Sequence, residues 1–389
     1  MDKQAPCEAP EVGAQGRPLT LRVASDRAAA KAAWDRLEAM TPHMGAFATY
    51  AWHDAWFTCV APDAKPAVLL AAEGDGNVVS LAPFCAMPWR DLGLKLPAFR
   101  FSGVDVVSAD YMDLLAEPAR RAEARALVLD HLTGVVRSGK LVVLAEIVRG
   151  SEMDEALTLW LARNGFRHRV QEERVCPYLD LPPTFDAYRA SVSKNTRSLL
   201  GRRARQLEEA GCELRRIGGR DEVGRFLPRL FELHEARWRQ MGETGTFIRP
   251  GFKEFLGEFV ARAPASVEPF VWALYEKDQA IAGLLFFRFG DTVVYYQGGW
   301  DPASPHARLS PSFALMSKAI AGAIADGCKT FDFLRGDEGY KKKFTSTSRR
   351  TYTLLVAGGW RSRAYLSLLR LKDAVKRRLA KPAPSVWDE

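Results

Sequence analysis

The order of apolar and polar residues predicts helices first and strands second near the start of the chain. Apolar residues at helical spacing predict an amphipathic helix over residues 28–40, and aromatic residues from Phe47 to Phe57 predict a second, buried one. From Pro66 two short apolar runs follow, joined by the turn sequence GDGN at residues 74–77, and this pattern predicts a β-hairpin. Helices that lead into a hairpin indicate a mixed α/β fold.

The hairpin pattern occurs twice in the chain. The segment PFVWALYEKDQAIAGLLFFRF, beginning at Pro269, aligns without a gap on PAVLLAAEGDGNVVSLAPFCA, beginning at Pro66. Each copy is followed by a predicted helix and a short strand, at residues 120–138 and 140–147 in the first case and at 311–326 and 329–334 in the second. Such an internal repeat predicts two halves that share one fold.

The length of 389 residues suits two domains, each built on a mixed α/β (α+β) sheet. The predicted parts are a disordered leader, a first domain, a second domain and a basic amphipathic tail, over residues 1–18, 19–180, 181–357 and 358–389.

Charge and composition narrow the function classes. A formal net charge of +8 favours anionic partners in general. No run reaches the ~18 apolar residues of a membrane helix, and the first residues lack the apolar core of a secretory signal, so we expect a cytoplasmic protein. The six cysteines show no C-x-x-C and no spacing to histidine that is typical of zinc sites, so we expect neither a metal nor disulfides.

Four segments resemble the CelD/BcsL-type acetyltransferases, a branch of the GNAT superfamily: SVSKNTRSLLGRRARQLEEAG, LFELHEARW, RLSPSFALMSKAIAGAIADGCKTFDFL and RGDEGYKKKF. The resemblance covers about residues 20–357 and implies two tandem GNAT-like acyltransferase domains. It implies transfer of an acyl group, acetyl above all, from acyl-CoA to an amine or hydroxyl of a sugar, polysaccharide precursor or other small acceptor. The chain is also similar, more distantly, to Fem-type aminoacyltransferases, which use aminoacyl-tRNA.

The resemblance implies a donor site at the start of the predicted helix 311–326. There, backbone N–H groups and the helix dipole favour the pyrophosphate of acyl-CoA. Ser310 is expected to cap this helix, and Pro311 suits its first position. The candidate donor-binding residues are Arg308, Ser310 and Ser312, and the alternative is an ordinary capped helix.

The segment FDFLRGDEGYK supplies three catalytic candidates. Asp332 lies inside an otherwise apolar strand, where a carboxylate must be hydrogen-bonded or paired. Either it forms a structural salt bridge, with Arg335 or a lysine, or it acts as a general base or substrate orienter. The resemblance implies that Tyr340 passes a proton to the leaving thiolate and that Lys341 stabilises the oxyanion or holds a phosphate.

The acceptor candidates come from both halves. His234 shares a helix face with Arg237 and Trp238, and it is either a structural histidine or a fourth catalytic candidate, the base. The other substrate-binding candidates are Asp110 and Tyr111, which match the family's D-Y pattern, and Asp337. Because the first half has no equivalent of RGDEGYK, we expect it to be degenerate and to shape the acceptor cleft.

Two surfaces leave other functions open. The predicted helix 194–210 carries a basic face that suits tRNA or other nucleic acid, although no nucleic-acid-binding motif accompanies it, so nucleic acid is not the expected partner. A noncatalytic scaffold is a further alternative. In the tail, Leu368, Leu371, Val375 and Leu379 form a stripe among many cations, which predicts either docking on the protein's own core or peripheral contact with an anionic membrane.

Overall fold

The computed structural model describes residues 17–379, so most of the predicted leader and the last ten residues of the tail lie outside the description. The first half contains, in chain order, β1 (Thr20–Ala24), α1 (Lys31–Met40), α2 (Tyr50–Ala55, extended by a π-helical turn, Trp56–Val60), β2 (Lys65–Pro66), β3 (Val68–Ala72), β4 (Val78–Ala82), β5 (Phe84–Ala86), β6 (Trp89–Asp91), β7 (Leu94–Leu96), β8 (Ala98–Phe101), β9 (Leu115–Ala116), α3 (Arg121–Arg137), β10 (Leu141–Val148), α4 (Glu152–Asn164) and β11 (His168–Asp180).

The second half continues with α5 (Phe185–Ser191), α6 (Lys194–Glu209), β12 (Cys212–Gly218), α7 (Arg220–Gln240), α8 (Phe252–Arg262), β13 (Val267–Glu276), β14 (Gln279–Phe289), β15 (Thr292–Trp300), α9 (Pro311–Ala325), β16 (Thr330–Asp332), β17 (Ser348–Ala357) and α10 (Trp360–Leu379). Within residues 17–379 no helix is both long and apolar enough to cross a membrane.

One large mixed sheet runs through both halves. Its eleven strands lie in the order β12-β13-β14-β15-β16-β11-β17-β10-β8-β5-β2, and a second sheet has the order β1-β3-β4-β9. The last strand of the second half, β17, lies between β11 and β10 of the first half and is antiparallel to both. The two halves therefore share strands as well as an interface.

The predicted repeat is confirmed. The hairpin β3–β4 is followed by α3 and β10, and the hairpin β13–β14 is followed by α9 and β16. In each half the strand after the helix is parallel to a strand that precedes the helix, β10 to β8 and β16 to β15. The fold is thus a mixed α/β fold made of two similar halves.

The parallel strands of the second half separate early. β15 and β16 are paired over three residues each, from Thr292 opposite Thr330 to Val294 opposite Asp332. Beyond that point β15 continues to Trp300, whereas the chain leaves β16 as a loop. The side chains that follow on both strands therefore border a gap in the sheet, which the N-terminus of α9 approaches.

Candidate functional site

Two pockets lie side by side where β15 and β16 separate. The outer pocket, about 270 Å³, is bordered by α6, α7, β15 and the first turn of α9. The inner pocket, about 170 Å³, is bordered by α7, β15, the loop after β16 and the loop that contains Ser108 and Asp110. Arg237, Tyr295 and Tyr340 border both pockets, so these three side chains divide one from the other.

The outer pocket contains the predicted helix N-terminus. Ser310, Pro311 and Ser312 line it, and Pro311 occupies the first helical turn as predicted. The expected cap is wrong, because Ser310 adopts a left-handed conformation with φ 56° and its side chain makes no capping hydrogen bond. The hydroxyl of Ser312 is buried and has no hydrogen-bond partner among the described residues. The first turn of α9 is therefore left without a side-chain cap and can bind an anion.

The charge of the outer pocket is positive. Arg203, Arg237 and Lys343 line it, and no Asp or Glu belongs to the residues that border it. Arg308, which was expected here, has an exposed side chain and is not a lining residue. Sequence patterns did not indicate Arg203, because it lies on α6 beside Leu200 and Ala204, which form the apolar face of the helix. The packing of α6 against α9 directs its side chain toward the pocket.

Arg237 is the cation between the two pockets. Its guanidinium stacks on the ring of Trp300 at 4.4 Å and lies 5.6 Å from the ring of Trp238. Over the described part of the chain, no carboxylate lies within salt-bridge distance of it. Burial raises the pKa of Tyr340 well above its usual value, and Tyr295 and Glu338 add to the effect. Tyr340 thus keeps its proton at neutral pH and is a hydrogen-bond donor beside Arg237.

His234 lies in the wall of the inner pocket, where its partner defines its protonation state. The indole N–H of Trp238 donates to Nε2 of His234 at 2.9 Å. An indole can only donate, so Nε2 must be unprotonated and Nδ1 carries the proton of the neutral ring. Burial, and after it the charge of Arg237, lower the pKa of His234 to about 4, while a hydrogen bond with Gln297 acts in the opposite direction. His234 therefore offers a donor rather than the base that its position in the sequence suggested.

Close backbone contacts hold this histidine in place. A Cβ atom at Gly299 would lie 2.2 Å from the backbone nitrogen of His234, and one at Gly245 would lie 2.5 Å from Cε1 of its ring. Any side chain at either position would displace α7 or rotate the ring. Sequence patterns indicated neither these two glycines, which pack on His234, nor Thr246 and Gln297, which line the same pocket.

Lys341 lines the inner pocket, but its ammonium group is already occupied. It donates to the carbonyl oxygens of Arg335 at 2.9 Å and Leu334 at 3.5 Å, and it pairs with Glu338 at 2.9 Å. Three acceptors account for its three protons. Lys341 thus holds the loop after β16, and the half-exposed carboxylate of Glu338 is the group that this loop presents to the pocket.

Asp332 borders neither pocket. It is 2% exposed, and its carboxylate accepts hydrogen bonds from the Tyr111 hydroxyl at 2.9 and 3.0 Å and from the backbone N–H of Leu334 at 2.7 Å. Arg349 lies 3.5 Å away. Burial raises the pKa of Asp332 to about 6, and Arg349 opposes this. The expectation that a buried carboxylate here must be bonded is confirmed, although neither of its expected partners, Arg335 or a lysine, bonds to it.

Arg335 instead joins the two halves. It pairs with Asp110 at 2.7 Å and with Glu146 at 2.8 Å, and the Thr351 hydroxyl donates to the other oxygen of Glu146 at 2.7 Å. β16 ends at Asp332, and Leu334 has a left-handed backbone with φ 54°, so the chain turns before Arg335 and directs its side chain to partners other than those of Asp332. Asp110 thus borders the inner pocket with its carboxylate engaged by a guanidinium, and Tyr111 lies behind it on Asp332.

Two predicted charges lie away from the pockets. Asp337 is exposed, pairs with Lys342 at 2.9 Å and borders neither pocket. On the basic helix α6, Arg197 donates to three carbonyl oxygens at the end of α5, those of Arg189, Ala190 and Val192. This part of the basic face therefore closes a helix end within the protein.

Comparison with known proteins agrees with this location of the pockets. Residues 194–342 match the family model described as an acetyltransferase (GNAT) domain. The match begins at α6 and ends just after Lys341, so it includes every residue that borders the outer pocket except Lys343. None of the curated proteins is detectably similar in sequence to this chain.

Solved structures share the fold over both halves. The C-terminal domain of a putative lysylphosphatidylglycerol synthetase from Agrobacterium fabrum superimposes with a TM-score of 0.54 at 11% identity, covering 88% of this chain and 95% of that one. L-PGS from Bacillus licheniformis gives 0.51 at 14%, covering 83% and 91%, and FemX gives 0.51 at 14%, covering 79% and 90%. At such identities the likeness shows the fold alone. The chain thus has a two-part GNAT-type fold, and residues 194–342 in its second half match the model of a GNAT acetyltransferase domain.

Proposed function

We propose that this acyltransferase moves a short acyl group from acyl-CoA, acetyl-CoA above all, to an amine or hydroxyl of a small polar acceptor such as a sugar or polysaccharide precursor. One observation carries the proposal. A positively charged pocket at an uncapped helix N-terminus adjoins a polar pocket, and all their lining residues except Ser108, Asp110 and Lys343 lie in the region that matches the acetyltransferase domain.

The donor half of the proposal rests on the outer pocket. The first turn of α9 with Ser312 would bind the pyrophosphate, and Arg203 and Lys343 would neutralise its charge. The thioester would then reach the divide formed by Arg237, Tyr295 and Tyr340. There the guanidinium of Arg237 and the Nδ1–H of His234 are donors for the oxyanion that forms as the carbonyl is attacked.

The proton steps need one acceptor and one donor. The acceptor amine or hydroxyl attacks the thioester carbonyl and gives its proton to Glu338, whose half-exposed carboxylate passes it to water. The C–S bond breaks, and the CoA thiolate takes the proton of the Tyr340 hydroxyl, which regains one from solvent. Glu338 takes the place that the sequence suggested for Asp332 and His234, since neither of these has a free acceptor atom toward the pocket.

The size and polarity of the inner pocket support a short acyl group and a polar acceptor. About 170 Å³ lined by Ser108, Thr246, Gln297 and charged groups suits acetyl and part of a hydroxyl-rich molecule, whereas a long alkyl chain would require apolar walls. The CelD/BcsL resemblance points to a saccharide in particular.

Calorimetry with CoA and acetyl-CoA tests the donor. We expect binding that is lost when Arg203 and Lys343 are both changed to Gln, because the cations opposite the phosphates are gone. No heat from any CoA species at millimolar concentration would overturn the donor assignment. A product formed with aminoacyl-tRNA alone would replace it with the donor of the Fem-type enzymes.

Replacing Glu338 tests the base. Glu338→Gln keeps the shape of the side chain but cannot accept the proton, so we expect kcat to fall on the order of a hundredfold with little change in donor affinity. Asp337→Asn is the matched control, since the neighbouring carboxylate is exposed and borders neither pocket. Equal rates for both variants would remove Glu338 from the mechanism.

A further inference from the structure

Helix α10 docks on the protein by one face only. Tyr365, Leu366 and Leu369 are buried against β8, β10 and β17. The Tyr365 hydroxyl donates to Asp91 at 2.6 Å, and Arg169 pairs with Asp373 at 2.5 Å. The docked residues differ from the stripe that the sequence suggested. Leu368, Leu371 and Val375 of that stripe are exposed, so docking of these three side chains on the core, one of the two alternatives, is wrong.

The opposite face of α10 is apolar and exposed. Trp360 is 79% exposed, Leu371 61%, Val375 47% and Leu368 42%. At ~100° per residue these four lie within an arc of about 80°, directly across the helix from the docked residues. A helix with one docked and one solvated face would ordinarily be polar on the second. This outward face is large enough and apolar enough to require an explanation.

Cations border the outward face on both sides. The same helical spacing puts Arg361 and Lys372 on one flank and Arg363 and Arg370 on the other. The tip of the β6–β7 hairpin extends the surface, because the side chain of Arg361 donates to the carbonyl of Lys95 at 3.3 Å and the nearby Leu92 and Leu94 are 39% and 38% exposed. An apolar strip between two rows of cations matches the layering of an anionic membrane surface.

We propose that the outward face of α10, with the β6–β7 tip, attaches the protein to membranes that contain anionic lipid. The helix lies parallel to the surface, with Trp360 and Leu371 among the upper acyl chains and the flanking Arg and Lys side chains at the headgroup phosphates. A second copy of the chain fits less well, because a symmetric contact would bring the rows of cations together. The proposal is independent of the acyl donor and acceptor.

Vesicle flotation of the full-length protein tests this attachment. We expect binding to phosphatidylcholine vesicles that contain phosphatidylglycerol, little binding to phosphatidylcholine alone, and loss of binding as salt is raised. Leu371→Asp should weaken binding at least tenfold. Leu159→Asp, a matched change at a 56% exposed leucine on α4, should leave it unchanged. Changing Arg363 and Lys372 to Gln should weaken it by about fivefold for each charge removed.

Three results would overturn the attachment. They are equal binding to vesicles with and without anionic lipid, binding of Leu371→Asp equal to that of the unchanged protein, and a dimer in sedimentation that Leu371→Asp dissociates while vesicle binding is absent. Thermal unfolding of each variant gives the check on folding, and because the substituted side chains are exposed we expect it unchanged.

Discussion

Two buried histidines, one in each half, have similar surroundings, but only the one in the second half borders a pocket. His53 and His234 are 1% and 2% exposed, and a glycine packs on each ring, Gly103 on the first and Gly245 on the second. Burial lowers the pKa of His53 to about 3 and that of His234 to about 4. Nδ1 of His53 lies 2.8 Å from the Ser102 hydroxyl, which donates to the Pro83 carbonyl, whereas His234 borders a pocket. A similar environment thus serves packing in one half and an open site in the other.

The parallel strands of the two halves differ in the same way. The chain that follows β8 is covered by two fully buried indole rings. The indole of Trp52 donates to the carbonyl of Gly103 at 2.8 Å, and that of Trp56 donates to the carbonyl of Val104 at 3.0 Å. After the corresponding β15, the side chains border two pockets. Both pockets therefore lie beside the parallel strands of the second half, whereas buried indoles bond the chain that follows β8. The degenerate role expected for the first half stays a prediction.

The largest expected effect comes from breaking the ion network that joins the two halves, which tests whether the second half depends on the first. Arg335→Met leaves Asp110 and Glu146 buried without their guanidinium, and we expect the free energy of unfolding to fall by about 4 kcal/mol. Arg216→Met is the control, since its pair with Glu268 is exposed and should contribute less than about 1 kcal/mol. Denaturant unfolding measures both. A loss for Arg335→Met no larger than for the control would show that the halves do not depend on this contact.

A bulky side chain in the outer pocket of the second half should abolish donor binding, whereas the same substitution in the first half should not. Ser312→Trp places an indole in the outer pocket, and we expect CoA affinity to fall at least about a hundredfold, or roughly 2.7 kcal/mol. Ala122→Trp makes the matched change at the second residue of α3, where the side chain is exposed. Calorimetry decides between them, and equal CoA binding by the two variants would contradict the assignment of the donor pocket.

The two histidines give the smallest effect, and it depends on pH. Both folded pKa values lie below the value of 6.5 for a free histidine, so protonation favours the unfolded chain and stability is lost as pH falls from about 6.5 toward 4. Near pH 5 each should contribute a loss of about 2 kcal/mol relative to its Gln variant. At neutral pH only His234→Gln should lower turnover. Unfolding curves and rates over this range test both statements, which would fail if the two variants lost turnover alike.

The sequence was sufficient to predict the main helices and hairpins and the fact that their order repeats. The hairpins, the helix with Pro311 in its first turn and the short strand after it follow from local patterns that repeat every two or every 3.6 residues, and the structure confirms them. The helix N-terminus that the sequence suggested for the donor does line the outer pocket, because a helix N-terminus is a local feature, and its role in donor binding stays a prediction. Arg308 does not line this pocket and Arg203 was not predicted to, because the direction of a long side chain depends on which helix packs beside it.

Sequence patterns could not predict the hydrogen bonds and ion pairs between residues of different halves. Asp332 was expected to pair with a residue near it in the chain, but Tyr111 bonds to it across 221 positions. The pairing of Arg335 with Asp110 likewise depends on how the loop after β8 meets the loop after β16. Glu338 was overlooked because it is distinguished from Asp337 only by the turn that directs one carboxylate inward and the other to Lys342.

The position of β17 limits how this protein can be dissected. A cut after β11 would separate that strand from both of its neighbours, β16 and β17, and would remove β17 from β10. Each fragment would then carry strands with unpaired backbone groups, which invite aggregation. An engineer who wants the pocket-bearing half alone must therefore transplant β11 with it and shield the exposed side of β17. In evolutionary terms, a duplication followed by such strand sharing would join the two copies into one folding unit, and neither copy could then be inherited without the other.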